Sequence, residues 1–112
     1  TCIYMSQLVC YSYYKKEKEI KIQLQEIYSG NFGICVWPSS DFLANLIFQN
    51  ESIFQNQVVL ELGCGPGLAG IAAAKCHAQV ILTDLNNPST ILENCRYNCQ
   101  LNHVEQETRV VG

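Results

Sequence analysis

Glu61, Gly63, Gly65 and Gly67 fall at alternate positions in the stretch ELGCGPGLAG, residues 61 to 70, directly after the apolar run Val58, Val59 and Leu60. Alternate glycines remove the Cβ atoms that would hold a ligand away, and they permit the positive φ angles of a tight strand-to-helix turn. Such a loop can touch a small molecule with its backbone. Asp84 stands at the end of the next apolar run, Val80 to Thr83. A carboxylate there is placed to accept two hydrogen bonds from the 2′ and 3′ hydroxyls of a ribose. The two features together imply a ligand with a nucleoside moiety.

Two glycine registers can be laid over the loop. Gly65, Gly67 and Gly70 spell G-x-G-x-x-G, the dinucleotide fingerprint, while Glu61, Gly63, Gly65 and Gly67 spell E-x-G-x-G-x-G. A pyrophosphate needs backbone N–H donors at the helix N-terminus. Pro66 removes one of them, and Glu61 would repel the phosphates. S-adenosylmethionine carries no phosphate and brings a positive sulfonium and ammonium, so Glu61 favours it. The spacing from the loop to Asp84 suits both ligands. These residues favour S-adenosylmethionine and leave an NAD(P)-binding Rossmann-type oxidoreductase open.

Plainer readings stand beside these. Trp37, immediately before Pro38, could be a core aromatic at a strand end, since burial is the usual work of aromatics. Cys64 could be a nucleophile, but the loop requires only a small residue there and no partner histidine is evident. Cys95, Cys99 and His103 follow one another at helical spacing and could face one metal ion. Against that, free cysteines pack as small apolar groups, and a helix ending near Asn102 takes His103 out of line. Gly70 reads as a helix–strand packing contact rather than a ligand contact.

The elements that must position these residues follow from the pattern. The chain has 112 residues, 48% hydrophobic and 15% charged, which suits one small globular core. A net charge of -3 gathers no phosphates, and Lys15, Lys16, Lys18 and Lys21, interrupted by Glu17 and Glu19, read as a solvated face, so direct nucleic-acid binding is not expected. Seven cysteines, an odd number without disulfide-scaffold framing, point to reduced thiols in the cytoplasm or nucleus. No run reaches the roughly 18 apolar residues of a membrane span, and the N-terminal residues lack a basic n-region followed by a continuous h-region. Thr1 at the start and a strand that has barely ended at Gly112 suggest that both ends are cut.

Ile20, Ile22 and Leu24 alternate with polar neighbours as a half-buried strand, and YSGNFG, residues 28 to 33, would turn it into a second extended piece, Ile34 to Trp37, as a hairpin. Pro38 should stop that strand. Ser39, Ser40 or Asp41 should then cap a helix with Phe42, Leu43, Leu46 and Ile47 on its packed face. Val58 to Leu62 reads as a central parallel strand covered on both sides. The glycine loop, a small-residue helix from Leu68 to His77 and the strand Val80 to Thr83 complete a βαβ unit. Asn87 can cap and Pro88 start a third helix carrying Ile91, Leu92, Cys95 and Cys99, and Thr108 to Val111 would be a third parallel strand. The alternation specifies an open α/β sheet with right-handed crossovers and its ligand site beyond the carboxyl ends of the strands. Residues 1–18 carry no assignable pattern.

The stretches GICVWPSSDFLANLI and VVLELGCGPGLAGIAAAKCHAQVILTDL, taken together, resemble the class I methyltransferases of the methyltransferase-like group that modify protein lysines or arginines. The likeness covers about residues 30 to 112. It implies a Rossmann-like class I methyltransferase fold of which this chain is the N-terminal half, strands 1–3 in the order 3-2-1 plus an N-terminal hairpin. By the same likeness S-adenosylmethionine is the cofactor and a protein side chain the acceptor. Trp37 would border the cofactor pocket, Gly63, Cys64 and Gly65 would contact its methionine part, Asp84 would hold the ribose and Glu61 would steady the loop. Acceptor-binding residues in that family follow strand four, so no catalytic residue carries over. The chain alone would then lack catalysis and act at most as a binding module, with its first parallel strand an unprotected edge.

Overall fold

The computed structural model describes residues 5–28, 34–87 and 89–112. Along the chain run β1 (Met5–Lys15), β2 (Lys18–Tyr28), α1 (Pro38–Gln49), α2 (Glu51–Phe54), β3 (Val58–Leu62), α3 (Leu68–Lys75), β4 (Gln79–Thr83), α4 (Thr90–Leu101) and β5 (Thr108–Val111). Strands β3, β4 and β5 form a parallel sheet in that order, and β1 and β2 form a separate antiparallel pair. This is the expected α/β architecture, a parallel sheet of partial Rossmann-like form with a separate antiparallel hairpin, and β5-β4-β3 is the anticipated 3-2-1 order. No described helix is long and apolar enough to cross a membrane.

In the parallel register Val59 pairs with Val80 and Glu61 with Leu82, so these side chains share one face. That face is packed. Val80 and Leu82 are buried in one cluster with Leu68, Ile71 and Ala72 of α3. Small residues let α3 approach closely, and a Cβ at Gly70 would overlap Leu82 Cδ2 and Glu61 Oε2. Gly70 is therefore a helix–strand packing glycine.

The hairpin is not the expected one. Ile22 and Leu24 are buried on β2 as anticipated, but the partner strand is β1, upstream, rather than residues 34–37. Lys16 and Glu17 form the connection, Lys16 taking φ 56, and the register runs from Lys15 opposite Lys18 to Met5 opposite Tyr28. Residues 34–37 form no strand. Ile27 N–H donates to Ile34 O at 3.1 Å, and Val36 N–H to the Glu26 carboxylate at 2.6 Å. Of the anticipated turn, residues 29–33 lie outside the described residues.

Helix α1 begins at Pro38 instead of following it, with Trp37 as its N-cap and no side-chain cap. Proline suits the first helical turn, where its missing N–H is not needed. Ser40 and Asp41 N–H both point to Trp37 O. The Asp41 carboxylate accepts the Tyr13 hydroxyl, which accounts for its absence from the cap. The buried stripe is Ala44, Ile47 and Phe48, whereas Phe42, Leu43 and Leu46 are exposed. Phe48 turns the helix toward the hairpin, its ring centroid 5.3 Å from that of Tyr13.

The reading of β3 as covered on both sides is also corrected. Val58, Leu60 and Leu62 are 76%, 60% and 78% exposed, because among the described residues β3 pairs with β4 alone and nothing packs on that face. At the other flank, α4 starts after Ser89 as N-cap rather than Asn87, and Pro88 lies outside the described residues. Helix α4 meets β2 through carboxamides: Asn94, Asn98 and Asn102, all buried and spaced by one helical turn, bond to the backbone of Gln23 and Gln25.

Candidate functional site

Strand β3 delivers Glu61 and then opens into the glycine loop, where Gly63, Gly65 and Gly67 take φ of 70, 53 and 97. Side chains with a Cβ rarely adopt such angles. The loop is tied down by its own backbone: Cys64 N–H donates to Thr83 O at 2.9 Å, Gly67 N–H to Cys64 O at 2.9 Å and Ile71 N–H to Gly67 O at 2.9 Å. Gly65 N–H donates to Asp84 Oδ2 at 2.8 Å. The tip of β4 therefore holds the loop directly.

Beyond the carboxyl ends of β3 and β4 lies a cavity of about 870 Å³ whose wall includes Trp37, Glu61, Gly63, Cys64, Gly65 and Asp84. Six of the seven sequence-designated residues thus meet at one space. A Cβ on Gly63 would touch nothing within 4 Å, so the loop presents bare backbone there. Gly67, the seventh, lies away from that wall; a Cβ on it would stand 3.0 Å from Cys95 Sγ, and its backbone N–H and carbonyl instead shape the start of α3.

Asp84 already accepts two N–H groups, that of Gly65 and that of Leu85 at 2.7 Å, one on each oxygen. Each carboxylate oxygen keeps a further lone pair, so acceptance of ribose hydroxyls remains chemically open. Glu61 differs. Its Oε2 is buried and without a hydrogen-bond partner among the described residues. Burial pushes the carboxyl up to about 7, the Gly70 N–H pulling against this and Asp84 adding to it. A buried orphan acceptor beside bare backbone fits the cationic amino acid end of S-adenosylmethionine, and Asp84 across the loop fits its ribose.

Trp37, 53% exposed, is no core aromatic and sits at the rim of the cavity. Its position is set by Glu26, which sequence reasoning did not single out. The buried Glu26 carboxylate accepts the Tyr11 and Tyr28 hydroxyls at 3.2 and 3.1 Å together with Val36 N–H, fixing the backbone one residue before Trp37. Cys64 lies 3.7 Å from Cys95, sulfur to sulfur. The hydrogen bonds with Cys64 and then Cys99, together with burial, hold the Cys95 thiol well above its ordinary pKa. Cys10, Cys35, Cys64, Cys76, Cys95 and Cys99 are free thiols. His103 is exposed beyond the end of α4 and does not join Cys95 and Cys99. Among the described residues no group of histidine, cysteine and carboxylate side chains is arranged to hold a metal.

A second feature missed from the sequence lies behind the loop. Asn98 Nδ2 donates to Pro66 O at 2.9 Å, joining α4 to the loop's interior. The only available sequence signal was the spacing of Asn94, Asn98 and Asn102, which on a helix reads equally well as a solvated polar stripe.

Comparison with known proteins follows this geometry. The family described as lysine methyltransferase matches residues 15–111. Histone-arginine methyltransferase METTL23 of Xenopus laevis is 37% identical over 90 residues, covering 80% of this chain and 38% of the relative. The Homo sapiens METTL23 is 40% identical over 77 residues, 69% of this chain and 40% of the relative, and the Homo sapiens protein-lysine N-methyltransferase EEF2KMT is 36% identical over 85 residues, 74% and 25% respectively. The chain spans about two fifths or less of the length of these relatives. With 15–111 matched and the loop, Asp84 and Trp37 all inside that span, the chain belongs to the lysine methyltransferase family.

Proposed function

We propose that the protein is an S-adenosylmethionine-dependent methyltransferase acting on a lysine or arginine side chain of a protein, and that this chain supplies the cofactor-binding part. The observation that carries the reading is that Glu61, whose Oε2 is buried and unpartnered among the described residues, lines the same cavity as Gly63 and Asp84. Glu61 would meet the ammonium, Gly63 to Gly65 would lie against the methionine chain, Asp84 would take the ribose hydroxyls and Trp37 would border the pocket. When bound, S-adenosylmethionine supplies a methyl group on a sulfonium for in-line displacement by an unprotonated nitrogen. The chain's own contribution is then alignment and exclusion of water.

The dinucleotide reading is weakened by the same loop. The N–H groups of Cys64, Gly65 and Gly67 are all engaged within the chain, and Pro66 has none. That leaves the middle of the loop without donors for a pyrophosphate. The choice of a protein acceptor rests on relatives named as histone-arginine and protein-lysine methyltransferases. Free thiols are consistent with action in the cytoplasm or nucleus. The test is transfer of labelled methyl from S-adenosylmethionine into a cell extract by the full-length protein, with mass spectrometry of the modified residue. Label in protein lysine or arginine is expected, and label confined to small molecules or RNA would reject the proposal.

A further inference from the structure

We infer that Asn98 is a positioning residue for the glycine loop, and that it couples the β1–β2 hairpin to the cofactor site. The inference rests on the reading that this loop holds the cofactor. Three of the loop's residues are glycines with positive φ, so beyond the buried Cys64 its hold on the fold comes from hydrogen bonds to its backbone. On the cavity side it is held by Asp84. Behind, Pro66 O receives its bond from Asn98, whose side chain is fully buried.

The Asn98 carboxamide has one workable orientation. Gln25 N–H donates to Asn98 Oδ1 at 2.7 Å, while Asn98 Nδ2 donates to Gln25 O at 3.1 Å and to Pro66 O at 2.9 Å. Rotating the amide by half a turn would set its oxygen against two carbonyl oxygens and its nitrogen against an N–H. Buried polar groups do not tolerate such mismatches. The backbone of β2 therefore fixes Asn98, and Asn98 fixes the turn of the loop at Pro66.

Asn102, one turn further along α4, provides a matched comparison. It makes the same pair of contacts with β2, Gln23 N–H to Oδ1 at 3.0 Å and Nδ2 to Gln23 O at 2.6 Å, and a third bond to Asn98 O at 2.8 Å. None of these bonds reaches the loop. A purely structural role would make the two asparagines equivalent; a positioning role separates them.

The experiment compares Asn98→Asp with Asn102→Asp in the full-length protein. Three quantities are read: thermal unfolding, calorimetric affinity for S-adenosylhomocysteine, and the amide NMR signals of Gly63, Gly65 and Gly67 without ligand. Both variants should unfold at lower temperature by similar amounts. Asn98→Asp alone should weaken S-adenosylhomocysteine binding by roughly tenfold at about pH 8, the scale of one unmade buried hydrogen bond. Toward about pH 6 that loss should shrink relative to wild type, as a protonated buried carboxyl regains an O–H donor. Its glycine signals should move while those of Asn102→Asp stay in place. If Asn98→Asp does not fold, Asn98→Ser takes its part, with the affinity loss and glycine shifts but no pH recovery. Equal affinity losses in the Asn98 and Asn102 variants, or unmoved glycine signals in a folded Asn98 variant, would overturn the inference. Failure of the wild type to bind S-adenosylhomocysteine would sink the cofactor reading instead, with the glycine signals still deciding the role of Asn98.

Discussion

β3 and β4 are neighbours in one sheet and both are mostly apolar, yet Val80 and Leu82 of β4 are buried while Val58, Leu60 and Leu62 of β3 are largely exposed. The flank around α4 is closed by thiols and aliphatic side chains and by asparagines bonded to β2. Among the described residues the flank at β3 ends in a strand without a further partner. The glycine loop joins the two, leaving from the open strand and entering the packed helix. Its rear is therefore held by tertiary structure, while its front faces the cavity. This asymmetry suits a site that must keep its shape and still admit a ligand.

The comparison breaks most visibly in stability. Leu82→Ala should cost about 2–5 kcal/mol, the range for a buried leucine that leaves a cavity. Leu60→Ala, on the bare face, should change stability by no more than about 0.5 kcal/mol. Urea unfolding of both variants measures the difference, and similar losses would show that the β3 face is covered in solution.

Glu61 gives the next effect, and its sign follows from burial. Its carboxyl sits at about 7 in the folded chain against an ordinary 4.5, so the folded state binds the proton more tightly than the unfolded state. The linked penalty is absent below about 4.5, grows as pH rises and is complete above about 7, reaching about 3 kcal/mol. Relative to wild type, Glu61→Gln should thus gain stability across that window, while losing affinity for a cationic ligand. Urea unfolding of the two proteins as a function of pH checks this; a pH-independent difference would mean that Glu61 is solvated.

A smaller loss is expected where α3 touches the sheet. Gly70→Ala sets a methyl against Leu82 and Glu61 and should cost about 1–3 kcal/mol through overpacking, whereas the space beside Gly63 is open. Thermal unfolding of Gly70→Ala would contradict the close approach if it matched wild type.

The sequence exposed the parallel half of the fold because there each signal is local. An apolar run, three glycines, a small-residue helix and an aspartate at a strand end follow one another without interruption. Glu61, Gly63, Gly65 and Asp84 were legible for the same reason, whereas Trp37 and Cys64 were assigned to the site only by the resemblance; all six line one cavity. The N-terminal half was not, because its partners are distant. The strand β1 alternates Tyr11 and Tyr13 with Cys10, Ser12 and Tyr14, a pattern without an obvious buried face until β2 lies beside it. Asp41 looked like a cap and is used by Tyr13 instead. Glu26 and Asn98 are polar letters whose work is done on the backbone of residues far along the chain, and periodicity cannot report such contacts.

The central claim is that Asp84 and the glycine loop hold S-adenosylmethionine. Titration calorimetry of the full-length protein and of Asp84→Ala with S-adenosylhomocysteine, alongside NAD, tests it most directly. Binding of S-adenosylhomocysteine by the wild type, a loss of about 1.5 kcal/mol or more in Asp84→Ala and no response to NAD are predicted. Tight binding of NAD with none of S-adenosylhomocysteine, or an affinity unchanged by Asp84→Ala, would contradict it.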